Sequence, residues 1–343
     1  MKKSLCVLLI ALILVTCAGC GGTSSDTGTA GTSDTVYTLS YGCSGDENSA
    51  SYLGVVAWKE YIEAESNGRI KVELYPNSQL GNDREMAEAV QMGQLVMMST
   101  ASSNFTPFVP ELEIFDIPFV LQTKEDVSSL FADEEFCDTL AGYFESKGMK
   151  LLGQNLIGFR HLTSNREIHT LADMEGMSIR VMEATIPQEM WKDLGCEPTP
   201  ISFSELYTAL QQGLVDAQEN PIQMVYGQKF YEQQDYFIYT GHQIMEIFHV
   251  MNPDWFASLP SDLQTLIEES MPVFYEVVEE KNDELDQSEV QEMADSGVTF
   301  IELDSSVIDE MRTATESIWD IVEQDYPDAA AAYRDALSRS GIL

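Results

Sequence analysis

Apolar and polar positions change period repeatedly along this chain. Val36 to Tyr41 is a short β-type run, and Leu53, Val56, Ala57 and Tyr61 then share one helical face that Asn67-Gly68 ends. Ile70, Val72 and Leu74 alternate with Lys71, Glu73 and Tyr75, the period of a strand with one buried face. Asn82-Asp83-Arg84-Glu85 has capping-box spacing ahead of a helix that Gly93 ends, and Leu95 to Thr100 is the next strand. Strand and helix in alternation predict an α/β fold with a parallel-rich sheet, whose ligand crevice lies at the carboxyl ends of the strands.

The rhythm restarts at Met149 to Ile157, which predicts a second α/β lobe. Thr170 is placed to cap a short turn before Gly176. Met177, Ile179 and Val181 alternate with Ser178 and Arg180, so Arg180 leaves its strand opposite the apolar set. Ser202-Phe203-Ser204-Glu205 repeats the capping-box spacing ahead of a helix that Gly213 ends. From Ser261, apolar positions through Leu263, Leu266, Ile267, Phe274, Val277, Val278 and Leu285 predict one very long helix, which Pro272 should kink or interrupt.

The first twenty residues follow a different pattern. Lys2 and Lys3 precede an apolar run from Leu5 to Val15, too short for a membrane span and right for a secretory signal. It ends in Ala18-Gly19-Cys20, small residues before a cysteine, which resembles a bacterial lipobox. Cys20 is the expected lipidation site. Cys17 stands where an aliphatic residue is usual and is the weaker candidate for processing. Gly21 to Asp34 holds no apolar side chain larger than alanine, the composition of a flexible tether. If Cys20 is lipidated, Cys43, Cys137 and Cys196 are an odd set in which at most one disulfide can form, and buried thiols are the favoured state.

A chain of 343 residues with 44% hydrophobic content is too apolar for disorder and too long for one small core. Its 57 acidic against 18 basic residues give a net charge of −39, which repels phosphate backbones and excludes nucleic acid and a basic membrane-surface role. There is no GxSxG elbow, HExxH, GxGxxG, P-loop or EF-hand pattern, and His161, His169, His242 and His249 lack metal-ligand spacing. Catalytic residues, metals and cofactors are therefore not expected.

An ordered set of segments carries a family resemblance. Tyr75-Pro76-Asn77-Ser78-Gln79-Leu80-Gly81, Gly158-Phe159-Arg160 with Thr163-Ser164-Asn165, Ile179-Arg180-Val181, Pro198-Thr199-Pro200, the run Phe203 to Gly213, Asp216 to Pro221 and Lys229-Phe230-Tyr231-Glu232 resemble the DctP-family solute receptors of TRAP transporters. The resemblance implies a two-lobed, periplasmic-binding-protein-like (Venus flytrap) α/β fold with a long helix shared by both lobes. The expected organisation is a signal peptide over 1–19 and a tether over 20–35. Lobe I then comes from 36–156 and 245–285, and lobe II from 157–244 and 286–340 with the C-terminal helices. It also implies an exported receptor, lipid-anchored or periplasmic, that delivers an organic acid to ion-gradient-driven membrane permease subunits. A sensor presenting the same ligand to a membrane kinase needs the same cleft and tether.

In that family the arginine of the Ile179-Arg180-Val181 strand clamps the ligand carboxylate, and the residue at Asn220 contacts ligand. Arg180 offers a planar fork matched to a carboxylate. Arg160 is implied to face the cleft, and a structural ion pair with one of the many carboxylates is its other reading. Phe203 is placed to cover one ligand face. The resemblance puts Ser44, Ser99, Thr100 and Ala101 at the first-lobe contact positions. Ser44 and Ala101 stand where sialate receptors carry asparagine and glutamate, which argues against sialate. Glu47, Asp83, Glu183 and His242 are candidate readers of ligand hydroxyls. One clamp among hydroxyl-reading groups predicts a hydroxylated monocarboxylate, a hexuronate or aldonate, ahead of a C4-dicarboxylate or keto acid.

Overall fold

The first alternating run becomes β1 (Tyr37–Cys43), and Ile70 to Leu74 begin β2 (Ile70–Tyr75). Seven further strands follow: β3 (Met97–Ala101), β4 (Lys150–Ser164), β5 (Ser178–Val181), β6 (Glu197–Pro200), β7 (Ala217–Asn220), β8 (Tyr236–Met251) and β9 (Thr299–Glu302). This computed structural model describes residues 35–343, so the signal run, Cys20 and the tether as far as Asp34 lie outside the described residues. Among the described residues no helix is long and apolar enough to cross a membrane.

The strands form one sheet in the order β2-β1-β3-β8-β4-β7-β5-β6, with β9 beside β8. Pairing is parallel within each flank, β2-β1-β3 and β7-β5-β6, as the βα rhythm predicts. The centre differs, because β8 and β4 run antiparallel to each other and to their flanking neighbours β3 and β7. What reads in the sequence as a strand ending at Ile157 is the first half of β4. Its alternation is broken by register shifts at Leu151/Gly153, Leu156/Gly158 and Arg160/Leu162, and bulges of this kind keep the ladder while hiding the period. The amino-terminal part of β4 and the carboxyl-terminal part of β8 pair beside β3, and their other ends pair with β7 and β9. These two strands carry the chain from one flank to the other.

Asn82 and Glu85 close the expected reciprocal box on the helix Asp83–Gln91, and Thr170 with Asp173 closes another. Ser202 does not, since its hydroxyl donates to the Glu205 carboxylate at 3.0 Å and makes no bond to the backbone of the helix Phe203–Gln211. The expected single long helix is two, Ser261–Glu268 and Met271–Asp295. Pro272 interrupts without kinking. It lies in the first turn of the second helix, where a missing N–H leaves no bond unmade. The helix Ala50–Glu65 packs on the long helix at Gly54, where a Cβ would lie 2.8 Å from both Phe274 and Val278. Gly54 is thus the close-approach point between these two helices.

The C-terminal helices pack on residues from both expected lobes. Tyr333 stacks with Phe136 at 5.8 Å, Ser317 bonds Asp193 at 3.0 Å, and Arg339 pairs with Asp133. Val36–Leu343 cluster as one compact unit.

Candidate functional site

The parallel flanks aim their carboxyl ends at a common cleft. Cys43 at the end of β1 and Ser44 just after it, Ser99 to Ala101 at the end of β3, Arg180 and Met182 from β5 and its exit, and Asn220 at the end of β7 line one cavity. It holds about 590 Å³ of empty space, its open mouth included. This is where ligands sit in open α/β sheets.

Arg180 is 2% exposed. Its Nε donates to the Ile201 carbonyl at 2.8 Å, which fixes the plane of the guanidinium, while Nη1 is buried with no hydrogen-bond partner. Burial pushes its pKa down to about 10, with Glu219 opposing and Arg160 adding to the shift. An arginine stays charged even so, and a buried unpaired N–H costs free energy unless an acceptor fills it. Among the described residues lining the cavity, Arg180 carries the only positive charge.

Opposite stands a row of hydroxyls and amides. Tyr41 donates to Ser99 Oγ at 2.5 Å, and Asn104 Nδ2 donates to Thr100 Oγ1 at 2.8 Å. Asn220 lines the cavity too, its Nδ2 donating to Gln218 Oε1 at 2.6 Å while Oδ1 accepts from Arg160 Nη2 at 3.2 Å. Phe203 opens its helix against the same space and meets Phe230 edge-on at 5.6 Å. Asp83 and Glu183 line an adjoining hollow that shares Arg180, Asn104 and Phe203 with the cavity. Asp83 is buried, with Oδ1 unpartnered. Burial pushes its carboxyl up, while the Thr100 and Ser44 hydroxyls and the Arg180 charge pull it back. Glu183 is exposed.

Three candidates line neither the cavity nor the adjoining hollow. Arg160 is 1% exposed and committed to Glu219, with Nε on Oε2, Nη2 on Oε1 at 2.8 Å and Nη2 on the Glu219 carbonyl at 2.7 Å; only Nη1 is left, on the Met245 sulfur. The ion-pair alternative therefore describes its position. His242 is buried on the same carboxylate, with Nε2 3.1 Å from Glu219 Oε2 and Nδ1 2.8 Å from Thr240 Oγ1. Burial pushes the Glu219 carboxyl up, but the Arg160 charge and the His242 and Arg160 hydrogen bonds outweigh it and bring it down to about 2. Glu47 is an exposed residue of the loop after β1.

Sequence reasoning missed Glu219, whose partner lies 59 residues away, and the apolar wall of Met182, Met224, Met245, Ile157 and Ile247. Each of those side chains reads as ordinary core from its local period. Cys43, Cys137 and Cys196 are free thiols, the first and last buried, and Cys43 lines the cavity. Among the described residues no group of His, Cys, Asp or Glu has metal-binding geometry.

Residues 41–325 match the family described as bacterial extracellular solute-binding protein, family 7 (DctP). A protein of Verminephrobacter eiseniae named solute-binding protein is 32% identical over 266 residues, which cover 77% of this chain and 79% of that one. The C4-dicarboxylate-binding periplasmic protein DctP of Rhodobacter capsulatus is 30% identical over 281 residues, 81% of this chain and 83% of that protein. A TRAP periplasmic solute-binding protein from Desulfovibrio salexigens, solved with orotic acid bound, superposes with a TM-score of 0.85 at 28% identity, covering 89% of this chain and 99% of that structure.

Proposed function

The chain belongs to the DctP family of bacterial extracellular solute-binding proteins, and we propose that it holds a hydroxylated monocarboxylate, a hexuronate or an aldonate, for delivery to an ion-gradient-driven permease. As a family member it is a two-lobed solute receptor of a TRAP transporter that binds small organic acids, and it is not an enzyme. The observation that carries the ligand class is Arg180, its Nη1 unpartnered, as the one cation among the described residues of a lining whose other polar side chains are hydroxyls, amides and the Cys43 thiol. One carboxylate satisfies that clamp. A second would need another cation, and Arg160 is already bound to Glu219 while Arg84, at the adjoining hollow, is paired with Glu88. Ser44, Ser99, Thr100 and Asn220 suit ligand hydroxyls, and Asp83 and Glu183 at the adjoining hollow repel further negative charge. The C4-dicarboxylate reading is supported by the Rhodobacter relative's name.

We place lobe I at 36–156 and 245–285 and lobe II at 157–244 and 286–340, on the support of β4 and β8 passing between the sheet's two flanks. An extracytoplasmic location is supported by the family's description as extracellular and by the periplasmic name of the Rhodobacter relative, and anchoring by lipid on Cys20 rests on the sequence pattern alone. Cys20→Ala is expected to move the protein out of the membrane fraction or leave it unprocessed. A mature terminus downstream of Cys20 without lipid mass refutes the anchor.

A thermal-shift screen tests the ligand class. Glucuronate, galacturonate or gluconate at 100 times its dissociation constant should add about 2.7 kcal/mol of stability. A strong response to succinate or malate with none to the sugar acids overturns the ligand class and leaves the receptor assignment standing.

A further inference from the structure

The lining of the Arg180 cavity divides by chemistry and by origin in the chain. Ser44 just after β1, Ser99 and Thr100 on β3, and Asn104 in the helix Ser102–Phe105 bring hydroxyl and amide groups. Ile157, Met245 and Ile247 on the central strands, with Met182, Phe203 and Met224 from the segments that follow β5, β6 and β7, bring apolar side chains. All six are buried and belong to one hydrophobic cluster, so the apolar lining is a packed wall and not a set of scattered contacts. The wall's three heteroatoms are methionine sulfurs, and that of Met245 already accepts from Arg160 Nη1 at 3.1 Å. A thioether is a weak acceptor and never a donor. A ligand hydroxyl pressed against this wall loses water and gains no comparable partner, which makes the wall a filter on ligand shape.

A hydroxylated acid meets that filter differently as a chain and as a ring. In an open-chain aldonate the hydroxyls project to both sides of the carbon backbone, so either side turned to the wall buries some of them unpaired. A closed six-membered uronate gathers its hydroxyls around the rim and shows C–H groups on its faces. Such a face suits the Phe203 ring and the adaptable methionine side chains. The rim has groups to answer it. Ser99 accepts from Tyr41 and keeps its own proton to give, and Asn104 has a carbonyl oxygen beside the Nδ2 that it gives to Thr100. The carboxylate is a substituent on the ring's edge, where a guanidinium whose plane is set by the Ile201 carbonyl can take it without tilting the ring off the wall.

We propose that the cleft selects a cyclic hexuronate over an open-chain aldonate, with one C–H face of the pyranose ring on the wall of Met182, Phe203 and Met224 and the hydroxyl rim toward Ser99 and Asn104. The inference rests on the reading of the cleft as a site for a hydroxylated monocarboxylate and narrows that reading to the ring form.

The test pairs each uronate with the acid formed by reducing its aldehyde, which keeps the carboxylate and the configuration of every hydroxyl-bearing carbon along the chain but loses the ring. Glucuronate is compared with L-gulonate, and galacturonate with L-galactonate, by titration calorimetry at neutral pH. At least one uronate should bind about tenfold or more tightly than its open-chain partner. Met224→Gln places an amide in the wall and should shrink that ratio by raising affinity for the open-chain acid. A second measurement reads the pose without any substitution in the wall. In protein labelled with ¹³C at the methionine methyl groups, the ring C–H protons of the bound uronate should give nuclear Overhauser effects to Met182 and Met224. Equal or tighter binding of both open-chain acids, or a bound uronate without those effects, overturns the ring selection and leaves the hydroxylated-acid reading standing. Binding of succinate or malate where none of the four sugar acids binds overturns that reading itself, and this inference with it.

Discussion

Two arginines sit in the interior, 1% and 2% exposed, and their surroundings are opposites. Around Arg160 every charge is answered, because Glu219 takes two guanidinium nitrogens through its carboxylate, its carbonyl takes a second bond, and His242 completes the carboxylate's set. Around Arg180, Nε is answered by the Ile201 carbonyl and Nη1 is buried without a partner, at a residue that lines the cleft. The first arrangement ties the central strand β4 to the flank that β7 begins. The second leaves a guanidinium nitrogen unpaired, beside the cavity proposed to hold the ligand carboxylate. Burial alone marks neither residue as functional; the open valence does.

The largest effect that separates the two regions is on stability. Glu219→Gln leaves the Arg160 charge buried without its counterion and should destabilise the protein by about 3–5 kcal/mol in urea unfolding. The same pair sets an acid limb. Because the folded pKa of Glu219 is about 2 against an ordinary 4.5, its contribution is fully present above pH 4.5 and is lost as pH falls toward 2. Glu219→Gln should remove that limb. An unchanged midpoint and acid limb would mean that Arg160 finds other acceptors, and the contrast between the regions would collapse.

Next in size is binding at Arg180. Arg180→Lys keeps a charge and loses the fork, so affinity for the acid that responds best in the screen should fall well beyond tenfold in titration calorimetry, more than about 1.4 kcal/mol. Ligand-free stability should move by less than about 1 kcal/mol, since relief of the unpartnered Nη1 offsets loss of the bond to Ile201. Wild-type affinity in this variant would place the carboxylate elsewhere.

Of these two regions, the sequence made one legible and hid the other. Alternation on the short strand β5 put Arg180 on the face opposite Ile179 and Val181, and the family resemblance, not the period, pointed that face at a ligand. The same resemblance marked the cleft's hydroxyls at Ser44, Ser99 and Thr100. Arg160 lies on a bulged strand, where the period that assigns faces fails at Gly158 and again after Arg160, and its partner comes from another strand. No local pattern pairs residues 160 and 219. The break before the long helix was legible as Pro272, but whether a proline kinks a helix or starts one depends on packing beyond its turn. Ser202 teaches the same at a smaller scale, since spacing permits a capping box while the hydroxyl chooses the Glu205 side chain.

The smallest expected effect concerns Asp83, the carboxylate closest in role to a Glu219 for Arg180. Its charge acts on Arg180, yet it makes no ion pair with it, and burial holds its folded pKa above the ordinary 3.8. The proton is thus held more tightly in the folded state, so its contribution to stability is fully present below pH 3.8 and is lost as pH rises through the raised value. Asp83→Asn should leave stability unchanged at low pH and raise it at neutral pH by less than about 1 kcal/mol, with part of the gain cancelled by the lost acidic charge at the start of its helix. If Asp83 also repels a second carboxylate, Asp83→Asn should narrow the preference for a sugar acid over succinate in the thermal-shift screen. Loss of stability at neutral pH would instead mean that Asp83 is already the counterion of Arg180, and that the clamp is closed before any ligand arrives.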